Sequence, residues 1–315
     1  MAYNILQIDG GDIKGIMPAY ICQEIERMTG KRIHQIFDLI IGSSTGAVIG
    51  GCLAAGIDAN VVYDMYTSKV CNEFAHKVKK WYAPWTWSKP IYRRKVFLDL
   101  LNQYIGDMKL SETSTNLVIT AMGIRKGSTH FIKSTEAKDS IYRLVDAISW
   151  SALSAVWYFG GIAEPNYKWD AEYPDGTVTS EVGEVFQDGG QGLNSCTIMY
   201  GLVNILAELI NTQSDIRLLS IGTGDYYKVK TMKDSMDDTQ IRQVINFLPQ
   251  AREESMPLQV GSGKYVAKNN PRIKFARVNC ALAKAQVEFG AQQYKDVFIQ
   301  KAKKMVKQVP WGWYM

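Results

Sequence analysis

Histidine, closely spaced cysteine and long apolar runs are all scarce in this chain. Only three histidines occur among its 315 residues, which limits the choice of a catalytic base. The five cysteines are widely spaced and include no Cys-x-x-Cys, so neither a disulfide framework nor a zinc site is expected. No apolar run reaches the roughly 18 residues that a membrane-spanning helix needs. We therefore expect a soluble globular protein.

A strong excess of one charge and a targeting signal are also missing. The 36 lysines and arginines against 31 aspartates and glutamates give a net charge of +5, which is too mild to indicate a nucleic-acid partner. The first residues lack the basic and apolar regions of a signal peptide. Together with the unpaired cysteines, this predicts a reducing, cytoplasmic location.

What the sequence does contain is an alternation of short apolar strands and helical patterns. Residues 5–8 and 37–41 predict strands, and residues 16–30 and 47–55 predict helices. This order predicts an α/β fold with a largely parallel sheet. Residues 165–179, rich in Pro, Gly, Asp and Tyr, predict a surface loop. Further strands are predicted at 117–122, 129–133, 183–186, 216–221 and 273–278, and further helices at 143–151, 197–210, 240–248 and 281–307.

Gly42-Ser43-Ser44-Thr45-Gly46 matches the pattern Gly-x-Ser-x-Gly between a predicted strand and a predicted helix. Such a turn exposes the hydroxyl of its central serine, Ser44, at a helix N-terminus, where the dipole and free N–H groups favour developing negative charge. The motif by itself fits equally well a tight turn with an N-capping serine.

Gly10-Gly11-Asp12 follows the first predicted strand, and tandem glycines there leave backbone N–H groups able to face an anion. A phosphate-binding P-loop is excluded, since Lys14-Gly15-Ile16 replaces Gly-Lys-Ser/Thr. The dinucleotide pattern fails as well, because Asp12 stands where its middle glycine is required. Either an oxyanion hole or a plain glycine turn remains.

A nucleophilic serine needs a base. An α/β-hydrolase orders its residues Ser, Asp or Glu, then His, and no histidine follows Asp188; the three available are His34, His76 and His130. Asp188 stands at a predicted strand end before two glycines, and a carboxylate within hydrogen-bond reach can take the serine proton directly. Asp188-Gly189 alone also fits a turn.

These three motifs, in this order, resemble the patatin-like phospholipase family, and residues 147–155 and 218–224 support the resemblance, which covers residues 3–225. The resemblance implies a patatin-like three-layer α/β/α fold with a central largely parallel sheet. It also implies phospholipase A-type hydrolysis of lipid esters without metal or cofactor. We therefore divide the chain into a catalytic domain at 1–225 and a mixed, mainly helical C-terminal extension at 226–315, packed on the same domain.

The resemblance also assigns roles to residues. It makes Ser44 the nucleophile and Asp188 the base of a Ser–Asp dyad. The oxyanion hole would be formed by the backbone N–H groups of Gly10, Gly11 and Asp12, and the supporting residues would be Lys14, Gly42, Gly46 and Gly189.

Asp12 and Lys14 depart from the family pattern, which usually has a glycine triplet followed by x-Arg-Gly. A carboxylate directed at the oxyanion would oppose the transition state. We expect Asp12 to point to solvent and to pair with Lys14. An inward Asp12 would favour the alternative function, a catalytically weak or inactive patatin-like lipid-binding or assembly protein.

Residues 77–95 combine seven lysines and arginines with five tryptophans and tyrosines and contain no acidic residue. This mixture suits a lipid headgroup interface, a packed lid or, less well, nucleic acid. Because the resemblance implies a lipid substrate, we expect peripheral membrane contact and no nucleic acid, and leave open a homo-oligomer and a small soluble ester or thioester as substrate. The candidate membrane-contact residues are Trp81, Trp85, Trp87, Arg93 and Arg94.

Overall fold

The structure is a computed structural model that describes residues 2–76, 90–192, 195–209, 214–226 and 240–314, with the backbone alone at 75, 192, 204–209 and 240–254. The strands are β1 (Tyr3–Ile8), β2 (Leu39–Ser43), β3 (Asn116–Gly123), β4 (Ser128–Lys133), β5 (Ile162–Glu172), β6 (Val178–Asp188), β7 (Ile216–Ile221) and β8 (Ile273–Val278). The helices are α1 (Ile16–Thr29), α2 (Ile33–Ile36), α3 (Thr45–Ala54), α4 (Ala59–Asp64), α5 (Cys71–Ala75), α6 (Arg94–Ile105), α7 (Ala137–Ser140), α8 (Leu144–Ala152), α9 (Ile198–Leu209), α10 (Gln240–Asn269) and α11 (Lys295–Met305).

The strands form one sheet in the order β5-β6-β3-β2-β1-β7-β8, with β4 also paired to β3. Five adjacent strands, in the order β3-β2-β1-β7-β8, run parallel. At one side of the sheet, β4 and β6 pair antiparallel with β3, and β5 pairs antiparallel with β6. This arrangement confirms the predicted α/β fold with a largely parallel central sheet.

Both faces of the sheet are covered because apolar residues occupy both sides of its central strands. In β2, Ile40 packs into a core formed with α1, α3, α6, α8 and α11, while its neighbours Leu39 and Ile41 pack into a second core with α9 and α10. The same alternation runs through β1 and β7, as the two-residue period of a strand requires. The result is a three-layer α/β/α structure.

Two predictions at the sequence level were wrong. Residues 165–179 are not a surface loop: β5 and β6 form a long antiparallel hairpin across this region. In β5, buried Tyr167 and Trp169 alternate with exposed Lys168, and Pro165 falls at a register shift, where a strand tolerates proline. The hairpin lies at the sheet edge, so its polar residues face solvent without breaking the strand pattern.

The predicted helix at 281–307 is also wrong over its first half. Residues 281–294 contain only short 3-10 turns, and α11 begins at Lys295. Gly290 has a φ of +70°, which an α-helix cannot contain. By contrast, the helix predicted at 240–248 extends to Asn269.

The C-terminal segment joins the main sheet. β8 pairs in parallel with β7, and Phe298, Ala302 and Met305 of α11 are buried in the core shared with α1. The division at residue 225 stays a prediction. Within the described residues, no helix combines the length and apolar character needed to cross a membrane.

Candidate active site

Ser44 occupies a sharp turn between β2 and α3. Its φ of 52° lies in a region that non-glycine residues rarely adopt. The flanking glycines allow this turn. A Cβ on Gly42 would lie 2.3 Å from the carbonyl oxygen of Gly46, and a Cβ on Gly46 would lie 2.2 Å from the carbonyl oxygen of Ile8. The Gly-x-Ser-x-Gly pattern therefore has a steric cause at both glycines.

Ser44 and Asp188 meet although 144 residues separate them. The Ser44 hydroxyl donates a hydrogen bond to Asp188 Oδ2 at 2.7 Å, and the Gly190 N–H donates to Asp188 Oδ1 at 2.8 Å. Both residues are largely buried, with 8% of Ser44 and 6% of Asp188 exposed. A Cβ on Gly189 would lie 2.5 Å from the carbonyl oxygen of Thr120, so a glycine is needed beside the aspartate.

The sheet topology explains this meeting. β4 pairs with β3 from Val118 to Gly123 along one edge, so β2 and β6 share the other edge. β2 pairs as far as Ser43 opposite Thr120, and β6 arrives from the opposite direction with Asp188 opposite Ala121. The end of β6 therefore faces the end of β2, directly at Ser44.

The loop after β1 presents backbone N–H groups beside Ser44. The Gly10 N–H donates to the carbonyl of Ser195 at 2.9 Å, so the role predicted for Gly10 as an oxyanion donor is not supported. The Thr223 hydroxyl holds the loop by donating to the Gly10 carbonyl at 2.7 Å. Within the described part of the chain, the N–H groups of Gly11 and Asp12 have no acceptor, which leaves them available to an anion.

The Asp12 side chain is buried, which corrects the expectation that it points to solvent. The Asp12 and Lys14 side chains are 4% and 7% exposed, and Lys14 Nζ lies 2.9 Å from Asp12 Oδ2, so the predicted pair is present. The Ile13 N–H also donates to the Asp12 carboxylate. Burial raises the pKa of Asp12 above its ordinary value, although the Lys14 ammonium opposes this. Lys14 thus compensates a carboxylate that lines the same cavity as Ser44.

A buried network of polar side chains also holds the loop that follows β1. Arg277 of β8 forms an ion pair with Asp9, the last residue before Gly10, and its Nη1 donates to the Ser220 hydroxyl at 2.7 Å. Gln7 Nε2 donates to the other Asp9 oxygen at 2.9 Å. The strand that follows the predicted catalytic domain therefore contributes a cation to the base of this site.

Sequence reasoning did not identify the three residues that hold the site in place. Ser151 of α8 accepts the Ser44 N–H at 2.8 Å, and it lies in one of the stretches that supported the resemblance. Thr223 lies in the other such stretch. No pattern in the sequence indicated Arg277, because an arginine within a strand does not reveal which loop its side chain contacts.

An apolar cavity of about 50 Å³ lies against Ser44 and Asp12. Its walls come from several helices and from segments near both ends of the chain. The Thr45 hydroxyl, which also faces it, is hydrogen-bonded to the Tyr66 hydroxyl. The main apolar contributors are Val48, Phe74, Phe97, Leu101, Phe159 and Phe289.

The histidines do not take part in this arrangement. His34 is half-buried near Gly56, and His76 is exposed. His130 is buried, its Nε2 lies 2.9 Å from Glu184 Oε2, and three aromatic rings surround it: Tyr167, Trp169 and Phe186. Burial lowers the pKa of His130 from its ordinary value of 6.5 to about 4, although the hydrogen bond to Glu184 opposes this.

We predict a loss of stability in acid that originates at His130. Below pH 6.5 the unfolded chain binds a proton at this imidazole, whereas the folded protein does not bind it until about pH 4. The stability is therefore fully present above pH 6.5, and up to about 3 kcal/mol is lost as the pH falls to 4. Urea unfolding of the wild type and of His130→Gln at a series of pH values measures this loss of stability. NMR titration of the imidazole measures its pKa in the folded protein. An imidazole that titrates near 6.5 in the folded protein would contradict it.

The predicted membrane-contact residues fall into two groups. Trp81, Trp85 and Trp87 lie outside the described residues. Arg93 is exposed. Arg94 is turned inward: its guanidinium donates to the carbonyl oxygens of residues 153, 159, 160 and 161, which fixes the loop after α8. Among the described residues, no group of three or more His, Cys, Asp or Glu side chains is placed to hold a metal ion.

The fold and the site together define a three-layer α/β protein in which a serine at a sharp strand-to-helix turn is hydrogen-bonded to an aspartate. The family model of patatin-like phospholipases matches residues 6–194, and the chain belongs to that family. It is 25% identical over 234 residues to the cUMP-AMP-activated phospholipase of Escherichia coli, covering 72% of this chain and 66% of that protein. It is 26% identical over 243 residues to Patatin-2-Kuras 3 of Solanum tuberosum, covering 70% and 60% respectively.

The matched part thus spans slightly less than two thirds of each relative. Among solved structures, VipD from Legionella pneumophila aligns with a TM-score of 0.38 and 11% identity, covering 97% of this chain and 67% of VipD.

Proposed function

We propose that this protein is a lipid acyl hydrolase of the phospholipase A type, which cleaves carboxylic esters of phospholipids or related lipids. The observation that carries the proposal is the 2.7 Å hydrogen bond from Ser44 to Asp188 beside an apolar cavity. A hydroxyl beside a neighbouring base, next to an apolar cavity, is an arrangement that acyl transfer from a lipid ester can use. Membership of the family and the similarity to a protein described as a phospholipase also support it.

The proposed mechanism uses the dyad twice. Ser44 Oγ attacks the ester carbonyl while Asp188 takes its proton, and the N–H groups of Gly11 and Asp12 receive the oxyanion. Collapse of this intermediate leaves the acyl group on Ser44, and Asp188 returns the proton to the leaving alcohol. Water then attacks the acyl-enzyme as Asp188 accepts its proton. As the bond from Ser44 Oγ to the acyl carbon breaks, Asp188 returns this proton to Ser44 Oγ and the fatty acid departs.

The protein also has features that bear on where it acts. Arg93 is exposed, and Trp157, 72% exposed, lies two residues before Phe159 of the cavity wall. An exposed amphipathic aromatic ring and an exposed cation each suit a lipid headgroup region. We propose a cytoplasmic protein that contacts a membrane peripherally at this side.

A second candidate function is a catalytically weak lipid-binding or assembly protein. The observation that favours it is the buried Asp12 carboxylate in the loop that would receive the oxyanion. The ion pair with Lys14 reduces the repulsion that Asp12 would otherwise impose, so we prefer the hydrolase.

Fatty acid release from phospholipid vesicles tests the proposal. Wild-type protein and Ser44→Ala are incubated with vesicles of phosphatidylcholine and phosphatidylglycerol, and released fatty acid is quantified by mass spectrometry. Release by the wild type alone supports a phospholipase. Binding to vesicles without release supports the second candidate, and hydrolysis of short soluble esters alone points to a small-ester hydrolase.

We predict that Ser151→Ala lowers kcat/KM for an ester about tenfold, which corresponds to about 1.4 kcal/mol. The variant leaves the buried Ser44 N–H without its acceptor, so the nucleophile is less well positioned. The matched control is Ser149→Ala on the same helix, whose hydroxyl bonds only to the Val145 carbonyl of that helix. Equal losses in both variants would mean that the effect is general destabilisation of α8.

A further inference from the structure

Residues 287–290, which we call the strap, lie against the loop that follows β1. Lys14 Nζ approaches the carbonyl oxygen of Val287 at 3.5 Å. The Gly290 backbone amide lies near the Asp12 carboxylate and opposes the rise of its pKa that burial causes. The Asp12–Lys14 pair thus contacts the strap at both of its ends. The strap comes from the C-terminal part of the chain, beyond the residues that the family model matches.

Gly290 is fitted closely to this position. Its φ of +70° is strained for any other residue, and a Cβ there would lie 2.5 Å from the Tyr92 hydroxyl. The strap can therefore approach Asp12 only because a glycine allows the backbone to turn there.

The Phe289 side chain extends from the strap to the cavity beside Ser44. Its ring stacks on Tyr158 with centroids 3.5 Å apart and meets the edge of Phe74 at 5.7 Å. The ring lines the same cavity as the nucleophile, together with Phe74, Phe97 and Phe159. Aromatic rings from separate segments of the chain thus close one wall, and Phe289 is the one that belongs to the strap, between Val287 beside Lys14 and Gly290 beside Asp12.

We propose that Phe289 is a specificity-determining residue that limits the length and bulk of the acyl chain, and that the Asp12–Lys14 pair positions it through the strap. The proposal rests on the hydrolase function proposed above. It gives the buried Asp12 carboxylate a role that a glycine at this position could not perform, because glycine offers no acceptor to the strap. Asp12 and Lys14 are positioning residues for the wall, and Phe289 touches the acyl chain.

Chain-length selectivity tests this proposal. The ratio of kcat/KM for a p-nitrophenyl ester of a long acyl chain, such as palmitate, to that of butyrate is measured for the wild type, Phe289→Ala, Phe289→Trp and Asp12→Gly. The ratio cancels any effect on oxyanion stabilisation, which both esters share. We expect Phe289→Ala and Asp12→Gly to raise it about tenfold and Phe289→Trp to lower it.

The matched control is Phe131→Ala, because this ring stacks on Tyr200 against the core of the opposite sheet face. It should leave the ratio unchanged. If Phe289→Ala does not fold, the opposite shift expected of Phe289→Trp still decides. Ratios equal to the wild type in the folded Phe289 variants would overturn the proposal.

A second measurement separates this proposal from the proposed function. In the Ser44→Ala background, palmitate and butyrate are titrated by calorimetry with and without Phe289→Ala. A higher preference for palmitate in the double variant supports the proposal that Phe289 limits the acyl chain, even if no variant hydrolyses an ester. In that case only the proposed hydrolase function fails. If the wild type hydrolyses esters but the Phe289 variants show unchanged selectivity and unchanged fatty acid binding, the proposed role of Phe289 is wrong. The proposed hydrolase function is then unaffected.

Discussion

Ser44→Ala and Asp188→Asn should each lower kcat for ester hydrolysis at least about a thousandfold while the fold is kept. Alanine removes the nucleophile itself. Asparagine keeps the shape of Asp188 but cannot accept the proton that Ser44 must lose as it attacks. The two side chains are 2.7 Å apart and act as a unit in the proposed mechanism, so the double variant should be no less active than the worse single variant.

Steady-state kinetics on a short-chain ester measure this effect, and circular dichroism verifies the fold. The controls are His34→Gln and His76→Gln, since neither residue contacts the dyad, and both should retain activity within about twofold. A folded His34→Gln or His76→Gln variant without activity would contradict the Ser–Asp dyad. So would an Asp188→Asn variant with nearly full activity.

The second large effect is expected at Gly46. Gly46→Ala should lower the free energy of unfolding by about 3 kcal/mol or more, because the new Cβ would lie 2.2 Å from the carbonyl oxygen of Ile8 and 2.9 Å from that of Asp9. These are backbone atoms at the end of a central strand, so they cannot move away as a flexible side chain can. The displacement would also open the serine turn and remove activity.

Gly261 offers a matched control because it too is a helical glycine, but nothing lies within 4 Å of a Cβ placed there. Gly261→Ala should raise the free energy of unfolding by about 0.5–1 kcal/mol, since alanine loses less conformational freedom in a helix. Urea unfolding of the two variants measures the contrast. A Gly46→Ala protein as stable as the wild type would show that the turn has more room than its geometry indicates.

The sequence determined the elements whose causes are local. The apolar patterns of residues 5–8, 216–221 and 273–278 predicted three strands to within two residues, because short segments rich in apolar residues are typical of strands. The two glycines around Ser44 likewise marked the serine turn. The steric need for Gly42 arises within the motif, whereas that for Gly46 comes from the Ile8 carbonyl of the neighbouring strand. The division at residue 225 and the roles of the candidate site residues stay predictions.

The two incorrect predictions of secondary structure have different causes. Residues 165–179 contain Pro165 and several polar residues, which predicted a loop, but an edge strand tolerates both when its buried residues alternate. The helical pattern of residues 281–294 was overridden because the strap is held by contacts to distant parts of the chain, and tertiary contacts routinely outweigh helix propensity.

Only the tertiary structure decided how the site is assembled. The meeting of Ser44 with Asp188 depends on two strands sharing one edge of β3, which no local pattern encodes. The burial of Asp12, the support from Arg277 and the place of Phe289 depend on segments more than 260 residues apart in sequence, such as Lys14 and Val287 at a separation of 273. Such contacts form only when the whole sheet is ordered, because the favourable energy of each one is small beside the entropy of closing so long a loop.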